Sequence, residues 1–440
     1  MLASSVRRSS FKPNLEIMET RDCPSCTITF RDGLLSIVGD SSANQVAILN
    51  TWTGTQVRCD QQEPHTFMGV TAISVRTLDG DDRVGFVSDG RERPTMTPNA
   101  TFDLGGGNDS LTGAISGHAG PCRLAAGGGA GNDMLTVNFL PEVQAGEVPE
   151  VQYQADLEGG AGNDMIMFNA SYVPEVQSGH VPEVQFLLNA RGGAGDDMIM
   201  AGTNYVPEVQ TGFVPEVQFH YNLGGGAGND TLVMNTYGGA PQMLDCTMLG
   251  DEGNDSLTAN TNFMPADPSN QSEPQFNLDL EGAVGRDVLS YMKHGSTPKH
   301  SRATLAGGAG DDIIAVSTIG SSNCLIDTRE RIDMNGGNGN DLLTFFAFPP
   351  ENSQLVLGYS YVLTMHGGLG DDTEIADANY FNGGGETGSI LEYGDEGNDQ
   401  HVLLYAGPYQ TLLIDGGDGT DFGLSPASHT FNVIVVNCEF

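Results

Sequence analysis

Basic residues are what this 440-residue chain has least of: 18 Lys and Arg stand against 57 Asp and Glu, for a formal charge of −39. Only three lysines occur, Lys12, Lys293 and Lys299. A surface of that sign repels phosphate backbones, which excludes nucleic acid as a partner. Long hydrophobic runs are missing too, so no transmembrane helix is expected. The N-terminus, MLASSVRRSSFKP, is basic but has no apolar h-region, and hydropathy shows no conventional signal peptide. Cysteines are few, at 23, 26, 59, 122, 246, 324 and 438. Cys23-Pro-Ser-Cys26 is a lone CxxC, too few ligands for a zinc site. The nine histidines form no spaced constellation. His294 and His300 flank Lys293 and Lys299 in a basic patch that reads as solvated loop. No GxSxG, HExxH or P-loop element is present.

Glycine, with 60 copies, is the main excess. It recurs with aspartate in one element, G-G-x-G-[ND]-D-x-U, where U is apolar. The clearest copies are Gly128–Thr136, Gly159–Met167, Gly192–Met200, Gly225–Val233, Gly307–Ala315 and Gly336–Thr344, with Asp133, Asp164, Asp197, Asp230, Asp312 and Asp341 at the sixth position. Looser copies end in Asp82, Asp109, Asp255, Asp287, Asp372, Asp399 and Asp421. All thirteen keep the fourth-position Gly and the sixth-position Asp, and successive Asp residues lie 22 to 33 positions apart.

The flanks alternate with period two. Two residues before the element, twelve of thirteen side chains are apolar, Glu392 being the exception. The eighth position is apolar in ten of thirteen, among them Leu135, Ile166, Ile199, Leu232, Ile314 and Leu343. Such alternation on both sides of a Gly turn predicts strand–turn–strand with one buried face. The turn is too long for a two-residue hairpin, and a unit with a single apolar face must stack on its neighbours. The expected fold is therefore all-β, a right-handed parallel β-solenoid of about 13 coils with one Gly-Asp turn per coil. At about 4.8 Å per coil it would be a rod on the order of 60 Å long. Residues 1–26 read as a leader, 27–430 as the solenoid and 431–440 as a closing strand. The pentapeptide [VL]-P-E-V-Q occurs six times, in pairs at 140/148, 173/181 and 206/214, between Gly-Asp turns. It reads either as a displayed ligand-binding ridge or as a tolerated loop expansion.

A Gly-rich turn can aim several carbonyls at one point, and the Asp adds charge, the donor set of a hard cation such as calcium. Zinc and copper want His or Cys, which these turns lack. The bland alternative is that Asp and Asn cap the turns through backbone hydrogen bonds.

The element resembles the GGxGxDxUx nonapeptide of the RTX, or haemolysin-type, calcium-binding repeats, whose sixth-position Asp and turn carbonyls hold calcium along one edge of a parallel β-roll. The resemblance implies Ca2+ ligation by Asp133, Asp164, Asp197, Asp230, Asp312 and Asp341, and more loosely by the other seven. That family sets two nonapeptides in each coil, whereas here one turn serves each coil, so calcium is expected along one edge only. Sites beside non-matching copies such as Gly282-Ala-Val-Gly-Arg-Asp287 are expected to be empty. The N-terminal Phe11-Lys-Pro13-Asn-Leu15-Glu16-Ile-Met18-Glu19-Thr-Arg21-Asp-Cys-Pro24-Ser25 resembles the F-x-P-x-L-E-x-L-E-x-R-x-x-P-S leader of planctomycete extracellular proteins. Asn432–Glu439 is similar to their N-V-x-V-V-N-C-E ending. This second resemblance implies an extracellular or cell-surface protein.

The function expected is thus a non-enzymatic, calcium-binding structural or adhesive solenoid, with surface polysaccharide or protein as a further partner. The alternatives are a glycan-binding adhesin and a carbohydrate-active β-helix enzyme, a lyase or epimerase. The enzyme would need a carboxylate cluster or a basic residue in a groove, and the carboxylates are nearly all committed to turns.

Overall fold

The computed structural model describes residues 26–90, 99–118, 120–141, 151–172, 183–206, 216–264, 273–320, 328–348, 360–377, 387–405, 410–424 and 432–438. The leader and most of the VPEVQ segments lie outside these residues. All regular structure described is strand, arranged in two 16-stranded sheets. No helix among the described residues is long and apolar enough to cross a membrane.

Each coil places one leading strand in the first sheet, turns through the Gly-Asp element, and places one trailing strand in the second. Val151–Ala161 leads and Met165–Tyr172 trails, and the next coil repeats this with Val184–Ala194 and Met198–Tyr205. Strands of successive coils pair in parallel and in register, as Leu157 with Ala190 and Ile166 with Ile199. A hairpin meander would have paired antiparallel, so the parallel solenoid is shown. The coil count is corrected: there are about nine full turns, not thirteen equal ones. Both strands reach seven residues or more only from Asn99–Gly106 with Ser110–Ser116 through Arg329–Asn338 with Leu342–Phe348. The elements beyond taper, down to Phe422–Leu424.

The alternation in the sequence becomes two inward faces. Buried apolar residues from both sheets form one continuous core running from Cys26 to Ile414. The near-identical repeats stack like on like: the rings of Tyr153, Phe186 and Phe219 form a column with centroids 5.5 and 4.8 Å apart. The second copy of each VPEVQ pair is not wholly loop. Its last two residues begin the leading strand, so Val151, Val184 and Val217 are stacked in the core. Gln152, Gln185 and Gln218 form an amide ladder beside them.

The two ends differ. At the start, Thr27–Arg31 pairs antiparallel with Leu34–Val38, and Gln45–Thr51 with Gly54–Cys59, which caps the first coil. Cys26, the last residue assigned to the leader, is buried and disulfide-bonded to Cys59. At the other end Asn432–Val436 adds in parallel to Gln410–Asp415. That closing strand leaves Ile434 and Val436 exposed.

The basic patch is a second correction. Lys293 lies in Val288–Gly295 with its side chain turned inward, 2% exposed. Its ammonium donates to both oxygens of buried Glu330, 2.6 Å from Oε1, and to Thr297 Oγ1 at 3.0 Å. A buried charge persists only with such compensation. Lys299 pairs at the surface with Glu273.

Candidate functional site

The Gly-Asp turns lie along one edge of the solenoid, where leading strands pass into trailing strands. Three geometric demands explain their composition. The second and fourth positions take left-handed backbone, as at Gly193 (φ +118°) and Gly195 (φ +130°). They also pack against the coil before: a methyl on Gly193 would lie 2.1 Å from the Gly160 carbonyl oxygen. Where the first position is glycine it has ordinary φ but no room, since a methyl on Gly192 would lie 2.3 Å from Asp197 Oδ2. Asp251, Ala283 and Asp395 replace the second glycine and still adopt left-handed φ of 69° to 76°.

All thirteen sixth-position aspartates are buried: Asp82, Asp109, Asp133, Asp164, Asp197, Asp230, Asp255, Asp287, Asp312, Asp341, Asp372, Asp399 and Asp421. They form a single ladder. The backbone N–H of each donates to Oδ1 of the next, at 2.7 Å from Asp82 through to Asp372, with the last two steps at 2.8 and 2.9 Å. The copies graded loose in sequence, Asp287 included, make the same contact as the strict ones. Fifth-position side chains form an outer ladder of opposite direction. Asn163 N–H donates back to Asn132 Oδ1 at 2.7 Å, and Asn132 N–H to Asn108 Oδ1 at 2.9 Å. Arg286 receives nothing from its neighbour Asp311 because its side chain has no acceptor. Arg286→Asn is expected to extend this ladder and stabilise the chain by about 0.5–1.5 kcal/mol, read as a higher denaturant midpoint.

One rung was not visible in the repeat. Asn44 N–H donates to Asp82 Oδ1 at 2.6 Å, and Gly39–Asn44 is a further turn with Asn at the sixth position and no fourth-position Gly. Its neutral amide oxygen accepts from the Asp40 N–H at 3.0 Å.

The ladder uses only one oxygen of each carboxylate. Oδ2 of all thirteen aspartates is buried with no hydrogen-bond partner. In eight turns it shares the space beneath the first glycine with a carbonyl of the next coil. The position of a methyl on Gly128, for example, is 2.3 Å from Asp133 Oδ2 and 2.6 Å from the Gly159 oxygen. The same pairing recurs at Gly159, Gly250, Gly282, Gly307, Gly336, Gly367 and Gly394. Burial, and then the like charges of neighbouring rungs, raises these acids: Asp109, Asp197 and Asp312 to about 7, and Asp133, Asp255, Asp372 and Asp399 to about 6. The bonds from backbone N–H oppose that rise.

A second group of acids lies off the turns. Glu374, Glu392 and His401 are fully buried between the sheets near the tapered end. These residues are departures from the apolar pattern. Glu374, His401 and Gly423 are the three eighth positions that are not apolar, and they are consecutive. Strand register sets Glu374 beside His401 and His401 beside Gly423. The histidines, scattered in sequence, thus do contribute one member to a constellation, with carboxylates in place of other histidines.

Fold and turn geometry define a parallel β-solenoid edged by an internal aspartate ladder. Comparison with family models, with curated proteins and with solved structures gave no match for this chain.

Proposed function

We propose that the protein is an extracellular or cell-surface structural solenoid whose stacked Gly-Asp turns bind calcium, the ion joining successive coils. The observation that carries this reading is the row of thirteen buried, unpartnered Asp Oδ2 atoms, eight of which lie beside a glycine carbonyl of the next coil. Capping alone explains Oδ1 but leaves Oδ2 without purpose, and an amide suffices for capping, as at Asn44. Unpaired carboxylates stacked in one buried row are costly, and a divalent cation among carboxylates and carbonyls offsets that cost. The thirteen ladder aspartates would be the ligands, and no catalytic step is assigned to them. Placement outside the cell is supported by the Cys26–Cys59 disulfide, which suits an oxidising compartment. It also fits the leader resemblance.

Isothermal titration of calcium into chelator-treated protein, with circular dichroism in parallel, tests the reading. Saturable binding of several ions with a gain in thermal stability is expected. No binding and no change in stability would refute it. Within the ladder, Asp197→Ala removes the acceptor of the buried Asp164 N–H and is expected to cost about 1–3 kcal/mol with or without calcium. Asp197→Asn keeps an acceptor and removes the charge. It is expected to match or exceed the parent in chelator and to gain less from calcium, measured by thermal melts.

A glycan-binding role has one observation in its favour. A groove of about 460 Å³ crosses the outer face of the second sheet, lined by Asn169, Asn204, Asn235, Tyr237, Asn262 and His294 among others. Amide and ring side chains of this kind suit hydroxyl-rich chains. Retardation in a polysaccharide affinity gel that persists in chelator would favour adhesion over a purely structural role.

A further inference from the structure

Among the described residues, the Glu374, Glu392 and His401 cluster has no counterpart in the other coils. The residues that flank it in register are apolar: Leu343 above Glu374, and Met365 and Ile414 on either side of Glu392. Glu374 and His401 come from neighbouring strands of the second sheet, Thr373–Asp377 and Gln400–Tyr405. Glu392 faces them from Thr387–Glu396 in the first sheet. His401 Nδ1 is 2.7 Å from Glu374 Oε2 and 3.7 Å from Glu392 Oε2. One donor atom from each residue falls within 4.8 Å of the other two. All three side chains are 0% exposed.

Despite this proximity the polar atoms are poorly satisfied. Both oxygens of each glutamate and both ring nitrogens of His401 lack a well-formed hydrogen bond, although the Gly367 backbone approaches Glu374. A core that places apolar residues in the equivalent positions of most coils would be expected to exclude two carboxylates and an imidazole unless something joined them. Two carboxylates carry two negative charges, and a divalent cation neutralises both at once. A single imidazolium would neutralise only one. Donors arranged tetrahedrally around an ion at 2.0–2.1 Å are about 3.3 Å apart, and the two spacings from His401 bracket that value.

We propose that Glu374, Glu392 and His401 form a second, buried metal site, for a divalent transition ion of the zinc class, distinct from the turn edge. The imidazole decides the class: calcium and magnesium take oxygen donors, whereas nitrogen with carboxylate suits zinc and its first-row neighbours. Two strands of the second sheet and one of the first each contribute a ligand, so the ion would fasten the sheets together where the strands shorten. With no exposure to solvent, the site would load as the chain folds. The inference does not depend on calcium binding at the turns.

The full chain is refolded with Zn2+ in millimolar Ca2+, dialysed against calcium buffer, and its metal content measured. The comparison protein is the triple variant Glu374→Leu, Glu392→Ile, His401→Leu, which places at these positions the apolar residue types found there in other coils. One equivalent of zinc is expected in the parent and less than a tenth of that in the variant, with β-structure kept. Zinc at background in the parent, equal zinc in both proteins, or displacement of zinc by calcium would overturn the proposal. If the triple variant does not fold, His401→Gln is refolded with Co2+. A visible cobalt spectrum in the parent that is lost or shifted in His401→Gln supports the site. An unchanged spectrum, or none in the parent, overturns it.

Discussion

Withdrawal of calcium at pH 7.5 is expected to lower the melting temperature of this protein more than any single substitution. Each site held at 100 times its dissociation constant contributes about 2.7 kcal/mol, and the ladder offers many sites. The dependence on pH gives the reading a sign. The ladder aspartates from Asp82 to Asp399 have folded-state pKa values raised above 3.8, to about 6 or 7 where the rise is largest. The folded chain therefore holds more protons than the unfolded chain between pH 4 and 7. Stability from this source is fully present below about pH 4 and is lost as pH rises through the folded pKa values. In chelator the melting temperature should fall across that interval. In calcium, which requires the ionised form, the fall should shrink or reverse, and binding should release protons. Melts at pH 4.5, 6 and 7.5, with and without calcium, check both halves. A chelator curve that rises from pH 4.5 to 7.5 would contradict the burial of these groups.

The second large effect is expected at Lys293. Lys293→Met leaves the Glu330 carboxylate buried without its ammonium partner, at a cost of about 3–5 kcal/mol. Adding Glu330→Leu should recover most of that loss, because replacing both members of a buried pair by apolar groups is often neutral or better. Denaturant midpoints of the parent, single and double variants measure the coupling. If Lys293→Met alone were harmless, the pair would be a surface contact of the kind worth little.

How much of this could be read from sequence depended on whether a feature repeats. The Gly-Asp turn and the alternation around it were legible because every coil faces the same two constraints, a tight reversal and one buried face. The Asn44 turn was not, since it shares neither the fourth Gly nor the Asp and only its hydrogen bonds reveal it. Lys293 sits in a polar stretch, Met292 to Ser296, whose composition suggests loop. Strand register buries it instead. Glu374 and His401 are 27 residues apart and become neighbours only when the coils are aligned. Their signal was present as consecutive failures of an otherwise apolar position. Taper escaped notice because thirteen turns of similar sequence carry strands of unequal length.

The in-register stacking has a mechanical side. Because each coil touches only the coils before and after it, tension between the two ends loads one interface at a time. The edge strand Asn432–Val436 is expected to yield first, while the disulfide-bonded hairpins hold the other end. Successive ladder residues are 22 to 33 positions apart, so each rupture would release that length of chain. At about 3.6 Å per residue, that is roughly 80–120 Å of slack per event. Such a chain lengthens in instalments under load and dissipates work at every step, whereas a single-core domain gives way all at once.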